Sequence, residues 1–373
     1  MIELCSKKEE CCGCGACYNV CPKGAITMEK DYKGFVYPKI DEEKCIKCGL
    51  CLKVCDFKNF EKKATDQVKT YAVRHKNIEE VNTSMSGAFF MVLCDYVLSK
   101  NGVVFGCAQE DKETIVHKFG KTKKEVNEFK GSKYVQSDLK NTFKECKNLL
   151  TQGIYVLFSG TGCQIHGLLS YLKITQTNIE NLLTCDIVCH GVPSAKVWGQ
   201  YIEQYEKNKK IKIDKACFRD KQLKGWHSHF QTFKTEEGNR YIDDSFARVF
   251  NENILFRESC YECKYATPFR NCDFTMADYW GVENVTSKFS DNKGVSLVLL
   301  HSEKAKKIFQ ELEDSMILLE TRLEDSLQPQ LKHPAIRNKN YEKFWSSYRK
   351  NNYKAVKKLF FPSIIKRIFS LTE

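Results

Sequence analysis

The sequence predicts an α+β protein of two unequal parts, a small cysteine-dense N-terminal domain followed by a larger α/β domain. Three observations lead there. Two cysteine runs, CCGCGACYNVCP from Cys11 and CIKCGLCLKVC from Cys45, fall in a segment to about residue 58 that is short of periodic apolar pattern. From Tyr71 the pattern changes to alternating strand and helix signals, and 373 residues at 42% apolar suffice for a large core. Twenty cysteines in a chain able to build that core point to metal ligation, because disulfide scaffolds serve short chains.

Aligned by spacing, the first run is Cys11-x2-Cys14-x2-Cys17-x3-Cys21 followed by Pro22, and the second is Cys45-x2-Cys48-x2-Cys51-x3-Cys55. This is the spacing of two-cluster ferredoxins. The short gaps let three thiolates wrap one 4Fe-4S cube, while the fourth cysteine of each run crosses to the other cluster. The expected wiring is Cys11, Cys14, Cys17 and Cys55 on one cluster, and Cys45, Cys48, Cys51 and Cys21 on the other. Zinc also uses Cys-x2-Cys pairs, but seldom eight cysteines so spaced. Asp56 stands where the second run would usually carry proline. Cys5 and Cys12 fall outside the pattern and are read as non-ligands.

The expected organisation is a ferredoxin-like domain over 1–58, a polar linker over 59–70, a large domain over 71–330 and a basic helical tail over 331–373. In the large domain, TYAVRH reads as a strand. SMSGAFFMVLCDYVLSKNG reads as a helix capped by Ser84 or Ser86 and ended by Asn101-Gly102. GVVFGCA is a buried strand and DLKNTFKECKNLLTQG an amphipathic helix. IYVLFSGTGCQIHGLLSYL is a strand, a Ser-Gly-Thr-Gly turn and a helix. NLLTCDIVCHGVPSAKVWGQYIEQY repeats that plan, with a strand ending at Cys189 and a helix opening near Ser194. Both turns lie at strand C-termini, where open α/β sheets bind ligands. SHFQTFKTEEGNRYIDD is a hairpin and VSLVLLHS a strand. Cys163, Cys189, Cys260 and Cys263 sit in suggestive places, but spacing leaves each open between a ligand and a buried structural thiol.

The net charge of +12 is concentrated at the C-terminus, where Leu331 to Glu373 holds eleven Lys and Arg against two Glu. With anionic clusters bound, the body is less basic still, so nucleic-acid binding is not expected. The tail mixes its basic residues with Trp, Phe and Ile at roughly helical spacing, with Pro362 as an interruption. Such a segment suits peripheral contact with an anionic membrane, docking of an acidic partner, or packing on its own domain. MIELCSKKEE lacks the features of a signal peptide and charges interrupt every apolar run, so a reducing cytoplasm is expected.

The strings SMSGAFF, GSKYVQSDL, FSGTGCQIHGL, DIVCHGVPS, FRDK and DYWG resemble those of the coenzyme F420 hydrogenase/dehydrogenase beta-subunit family. These are FAD and iron-sulfur oxidoreductases that include 7-hydroxymethyl chlorophyll a reductase and a ferredoxin-dependent vinyl reductase. The resemblance runs from Cys11 to about Leu300 and implies that the large domain binds flavin. It implies a third 4Fe-4S cluster on Cys163, Cys189, Cys260 and Cys263, although Gly162 replaces the family's usual proline and leaves that turn less constrained. It places FAD against Ser84, Ser86 and Gly87, against Gly131, Ser132, Lys133 and Tyr134, and against Ser159, Gly160, Thr161, Gly162 and Gln164. SGTG is not a dinucleotide fingerprint, since Ile165 stands where the third glycine belongs, yet it can present N–H groups to a phosphate or a flavin at a helix start. Cys94, Cys107, Cys146, Cys185, Cys217 and Cys272 match no family role, and most of them are read as buried thiols.

The implied chain of electron transfer is ferredoxin, the two N-terminal clusters, the third cluster, FAD, and an organic two-electron acceptor. The acceptor is F420 or a small molecule, conceivably sugar-linked, and flavin joins one-electron to two-electron chemistry. His190 and His227 are candidate catalytic proton donors, against the commoner role of a hydrogen-bonded histidine. Arg219, Asp220 and Lys221 of FRDK suit either an anionic substrate or an ion-pair cluster. The alternative function is an electron-transfer subunit serving a separate enzyme, with an oligomer also open. A redox sensor is set aside because no helix-turn-helix signal is present.

Overall fold

The computed structural model describes residues 3–61 and 68–361. Half of the linker, residues 62–67, and the end of the basic tail, including Pro362, lie outside the described residues. The architecture is α+β, as the cysteine-dense start and the alternating remainder predict.

The N-terminal module is built around a two-stranded hairpin, β1 (Ile26–Lys30) and β2 (Val36–Ile40), with short helices Ala16–Val20 and Leu50–Lys53 carrying the cysteine runs. Both helices start from a left-handed glycine, Gly15 at φ 73° and Gly49 at φ 75°, which lets the loop turn tightly into the helix behind two thiols.

The remaining strands are β3 (Lys69–His75), β4 (Val103–Gln109), β5 (Ile115–Gly120), β6 (Val156–Thr161), β7 (Leu182–Ile187), β8 (Ile213–Cys217), β9 (Gln231–Thr235), β10 (Arg240–Asp243), β11 (Phe274–Asp278), β12 (Ser296–Leu300) and β13 (Met316–Thr321). Eight of them form one mixed sheet in the order β13-β3-β12-β11-β7-β6-β4-β5, and β10-β9-β8 form a small antiparallel sheet. Within the large sheet, β4, β6, β7 and β11 run parallel to one another. Their C-terminal ends therefore open on one edge. That is where open α/β sheets place ligands.

Helix expectations are met with corrections at the ends. The helix after SMSG is Phe89–Ser99, and its N-cap is Ala88 at φ 66°, not Ser84 or Ser86. Ser84 instead closes the preceding helix Ile78–Thr83. The SGT of SGTG belongs to β6, and β7 ends at Ile187, two residues before Cys189. Ser194 caps helix Ala195–Lys209 by accepting from the Val197 N–H. The expected hairpin is β9–β10.

The small module is packed into the large domain, not tethered beside it. Phe35 and Tyr37 of the hairpin share one apolar cluster with Trp198 and Tyr201 and with Tyr341, Trp345, Val356 and Phe360. Through residue 361 the basic tail is thus two helices, Tyr341–Lys350 and Asn352–Phe360, whose aromatic faces are buried. Gly34 and Gly167 mark the closest approaches. A Cβ on Gly34 would stand 2.5 Å from Cβ of Lys196, and one on Gly167 would stand 2.8 Å from Sγ of Cys14.

Candidate redox site

The second cysteine run and Cys21 surround one cavity. Cys21, Cys45, Cys48 and Cys51 all line a space of about 360 Å³ together with Ile26, Ile40 and Leu50. These are the four residues that crossed wiring assigns to one cluster. Cys48 is exposed, and Lys23 and Lys47 stand on the rim.

Cys11, Cys14, Cys17 and Cys55 form the companion group. Burial, then the charges of Cys11 and Cys55, push the Cys17 thiol up, and burial, with Cys11 among the charges, does the same at Cys55. Cys14 has Cys12, Cys17 and Cys55 as its titrating neighbours. This group faces inward against helix Gly162–Ile174, whose buried residues include Ile165, His166, Gly167 and Leu168.

Four cysteines separated by up to a hundred positions meet beyond that helix. Burial and then Cys163 and Cys263 raise Cys189 to about 12, burial and then Cys163 raise Cys263 to about 11, and burial followed by Cys189 raises Cys260. Thiols so dry and so close repel as thiolates unless a positive centre takes their charge. The donor set fits a 4Fe-4S cluster. Cys260 also accepts from the Val192 N–H at 3.5 Å, and Cys163 lies 3.2 Å from Thr161 Oγ1. The helix begins at Gly162 itself, closed by a capping box in which Gln164 and Thr161 satisfy each other's backbone. A Cβ at Gly162 would stand 2.9 Å from Cβ of Tyr265, so the turn without proline is tightly packed.

Cys12, read as a non-ligand, sits between the two inner groups, where its protonation is coupled to Cys14 and to Cys163. Asp56 accepts a 2.8 Å hydrogen bond from Tyr265 Oη and pairs at 3.2 Å with Nδ1 of His166. The residue that replaces proline therefore anchors the module to the third cysteine group.

A large cavity opens at the strand ends, with an empty volume of about 1970 Å³ counted out to its mouth. Ser84, Ser86, Gly131, Ser132, Lys133, Tyr134, Ser159, Gly160, Thr161 and Gln164 all line it, and so do Cys189 and His190. Gly87 and Gly162 do not. Gly87 packs against β3, where a Cβ would stand 2.2 Å from the Val73 carbonyl.

Several of these side chains are committed to the framework. Ser86 Oγ donates to the Val295 carbonyl at 2.6 Å and Ser159 Oγ to that of Phe105 at 2.9 Å. Gln164 Nε2 donates to Ser137 at 3.0 Å, and Ser137 lies 2.7 Å from His117 Nδ1. Burial lowers His117 to about 4, so it holds this wall as a neutral ring. Ser84 Oγ, by contrast, is buried without a partner among the described residues, and Gly131 at φ 80° has open space beside it. Burial lowers Lys133 to about 8, and its Nζ donates to the carbonyls of Lys130 and Glu128. An unpaired buried hydroxyl, open backbone at a glycine and a partly desolvated lysine fit a long polar ligand such as FAD.

Of the two candidate proton donors, only His190 reaches the cavity, edge-on to Phe250 and Phe256 at 5.2 and 5.5 Å. Burial lowers its pKa, so at neutral pH it is an uncharged ring. His227 points away and pairs with Glu283 at 3.1 Å, with half its side chain exposed. His229 takes its place in the wall. FRDK also divides. Arg219 lines the cavity, bonded to Asp278 at 2.6 Å, whereas Asp220 pairs with Arg240 and Lys221 Nζ caps the carbonyls of Val81, Ser86 and Lys293. Sequence reasoning missed Asp278 and Trp280, which the DYWG string contained without a role, and His117, which carried no signal. Trp280 stacks on Trp226 at 4.9 Å.

These groups define an iron-sulfur protein in which a two-cluster ferredoxin module is built onto an α/β domain. Residues 10–59 match the model of the 4Fe-4S dicluster domain, and residues 155–326 match that of the C terminus of the coenzyme F420 hydrogenase/dehydrogenase beta subunit. The chain is thus similar over residues 155–326 to the C terminus of that beta subunit, with the dicluster domain match ahead of it. All eight ligands expected of the first two clusters lie in the former match and all four of the third in the latter. An uncharacterized ferredoxin of Methanocaldococcus jannaschii is 47% identical over 36 residues, 10% of this chain, and the match spans 47% of that ferredoxin's length. A solved structure of the F420-reducing NiFe hydrogenase complex from Methanosarcina barkeri, determined with xenon, contains a similar chain. That similarity has a TM-score of 0.48 at 15% identity, covering 78% of this chain and 94% of that one, and is too distant to bear on function. Among the described residues no helix is long and apolar enough to cross a membrane.

Proposed function

We propose that the protein is an iron-sulfur flavoprotein oxidoreductase that takes single electrons at the Cys45 face and delivers them in pairs to an organic acceptor in the large cavity. The observation that carries this reading is the double position of Cys189. It belongs to the third cysteine group through its coupling to Cys163 and Cys263, and it also lines the cavity. Cys189 thus sets the third cysteine group at the wall of the cavity.

The chain's own residues set the order of sites. Cys48 and the lysines at its rim offer an exposed, basic landing point for an acidic one-electron carrier such as ferredoxin. Cys12 and helix Gly162–Ile174 bring the Cys11 group against the Cys163 group. The open strand ends, with Ser84, the Gly131–Tyr134 loop and Lys133, would hold FAD, which when bound supplies the conversion between one-electron and two-electron transfer. His190 holds a neutral imidazole at the cavity wall, where it can hydrogen-bond an acceptor bound there and accept a proton from it. Arg219 and Trp280 line the same cavity, in which the acceptor, F420 or a small molecule, would lie.

Anaerobic purification followed by release of flavin and assay of iron and acid-labile sulfide tests this directly. About twelve irons and one FAD per chain are expected for three 4Fe-4S clusters. About eight irons without flavin would reduce the protein to a carrier.

The matched family model is that of a subunit, and this favours a second reading, an electron-transfer subunit that serves a partner enzyme. Turnover of a small acceptor by the purified chain alone, driven by reduced ferredoxin, separates the two.

A further inference from the structure

Arg257 is fully buried, and its charge has no carboxylate to answer it among the described residues. Its neighbour Glu258 is taken by Lys33. The guanidinium is held instead by neutral acceptors, with Nε on the Cys11 carbonyl at 2.7 Å, Nη2 on the Val36 carbonyl at 2.8 Å and Nη1 on Gln136 Oε1 at 3.1 Å. Nη2 also lies 3.7 Å from Sγ of Cys11, and the Tyr37 ring covers the group at 4.2 Å. The titratable groups nearest to it are Cys11, Tyr37, Cys12 and Cys260, of which Cys11 and Cys260 are assigned as cluster ligands. Gly13, at φ 70°, makes room, since a Cβ there would stand 2.8 Å from Nη1.

The contrast is Arg270, another buried guanidinium near cysteine ligands. It lies beside Cys189 and Cys263, but Asp186 neutralises it at 3.1 Å. A buried cation without a carboxylate is costly unless an anion of another kind faces it. For Arg257 the anions within reach are ligand thiolates, Cys11 of the first cysteine run and Cys260 of the third group.

We propose that Arg257 is the internal counter-cation of the Cys11 cluster and raises its reduction potential. Reduction adds one negative charge to an already anionic centre, so a fixed positive charge at its ligand sulfur stabilises the reduced form more than the oxidised one. The Cys45 cluster, wired by the same spacing, has no buried guanidinium beside it among the described residues. Arg257 is therefore a positioning and tuning residue, and it gives the inner of two sequence-matched clusters a greater hold on the arriving electron. The proposal rests on the cluster assignment above and not on the flavin.

The test is a redox titration of the anaerobically purified holoprotein followed by electron paramagnetic resonance, comparing R257Q and R257K with the native chain. Iron and sulfide content are measured on each. At full iron content, R257Q is expected to lower the reduced-to-oxidised ratio of one cluster about tenfold at fixed poise, a shift of about 59 mV for a one-electron couple. The signal that moves should be the one abolished by Cys14→Ser, and R257K should move it less. Unmoved potentials at full iron would overturn the proposal, as would loss of that cluster's iron from both variants, which would make Arg257 a structural strut. A native protein without iron would instead overturn the cluster assignment, so the two failures are distinguishable.

Discussion

The two cysteine runs share one spacing and live in two environments. Around Cys45 the walls are a short helix, a hairpin end and exposed Ile46 and Leu52, with Cys48 open to water and lysines at the rim. Around Cys11 the walls are the core helix Gly162–Ile174, the buried Arg257 and the third cysteine group. Ligand spacing decides that a cluster forms, while its surroundings decide which partner it meets and how strongly it holds an electron. The outer site has Cys48 open to solvent, whereas the inner site packs against another part of the same molecule.

Replacing ligands should separate the regions most sharply. Cys189→Ser is expected to remove about four irons and abolish reduction of the acceptor, leaving the N-terminal pair in place. Cys48→Ser should remove a different four or so and block entry from ferredoxin, while a small reductant still reaches the cavity. Iron content, paramagnetic resonance and turnover with each donor measure the difference, and full iron in Cys189→Ser would refute the third cluster.

Docking of the inner site comes next in size. Asp56→Ala leaves buried His166 and Tyr265 without their acceptor, at an expected cost of about 1–3 kcal/mol. A lower Tm for the holoprotein, recovered in part by Asp56→Asn, is the readout. No change in Tm would mean that apolar packing alone holds the module.

A smaller effect is expected at the outer face. Lys23→Glu combined with Lys47→Glu should slow electron entry from an acidic carrier about tenfold at low salt. The gap should close as salt is raised, because exposed charges are screened. Stopped-flow reduction across ionic strength checks both statements.

The mildest prediction concerns pH. Burial lowers the folded-state pKa of Lys133 to about 8, so its charge is present below that pH and lost above it. Retention of an anionic flavin should weaken as pH rises through about 8, and Lys133→Met should flatten the profile. Flavin dissociation followed by fluorescence reports this, and an unchanged slope in the variant would exclude Lys133 from the flavin's surroundings.

Some of this was legible from sequence, and for a physical reason. Two-residue gaps place successive thiols within a single loop, so the gathering of Cys21, Cys45, Cys48 and Cys51 around one cavity could be expected without knowing the fold. The βαβ plan of β6 and β7 was also legible, because a short apolar run followed by a capped helix is locally specified. The strings that the resemblance assigned to a flavin line one cavity, except for Gly87 and Gly162, which serve packing.

Other features depended on long-range placement. His227 and His229 differ by two positions, and no local rule says which faces the cavity; the order of β8, β9 and β11 around Trp226 and Trp280 decides it. Asp56 read as a harmless departure from a motif because its partners are 110 and 209 positions away.

By itself, then, the sequence determined the metal chemistry and the alternation of strands and helices, since both arise from contacts between near neighbours. The tertiary structure alone decided that Cys163, Cys189, Cys260 and Cys263 meet, that Cys189 also faces the cavity, and that a buried arginine stands beside one of two matching clusters. Those relations come from parallel strands packing side by side and from a small module pressed into a large one, and neither is encoded by spacing along the chain.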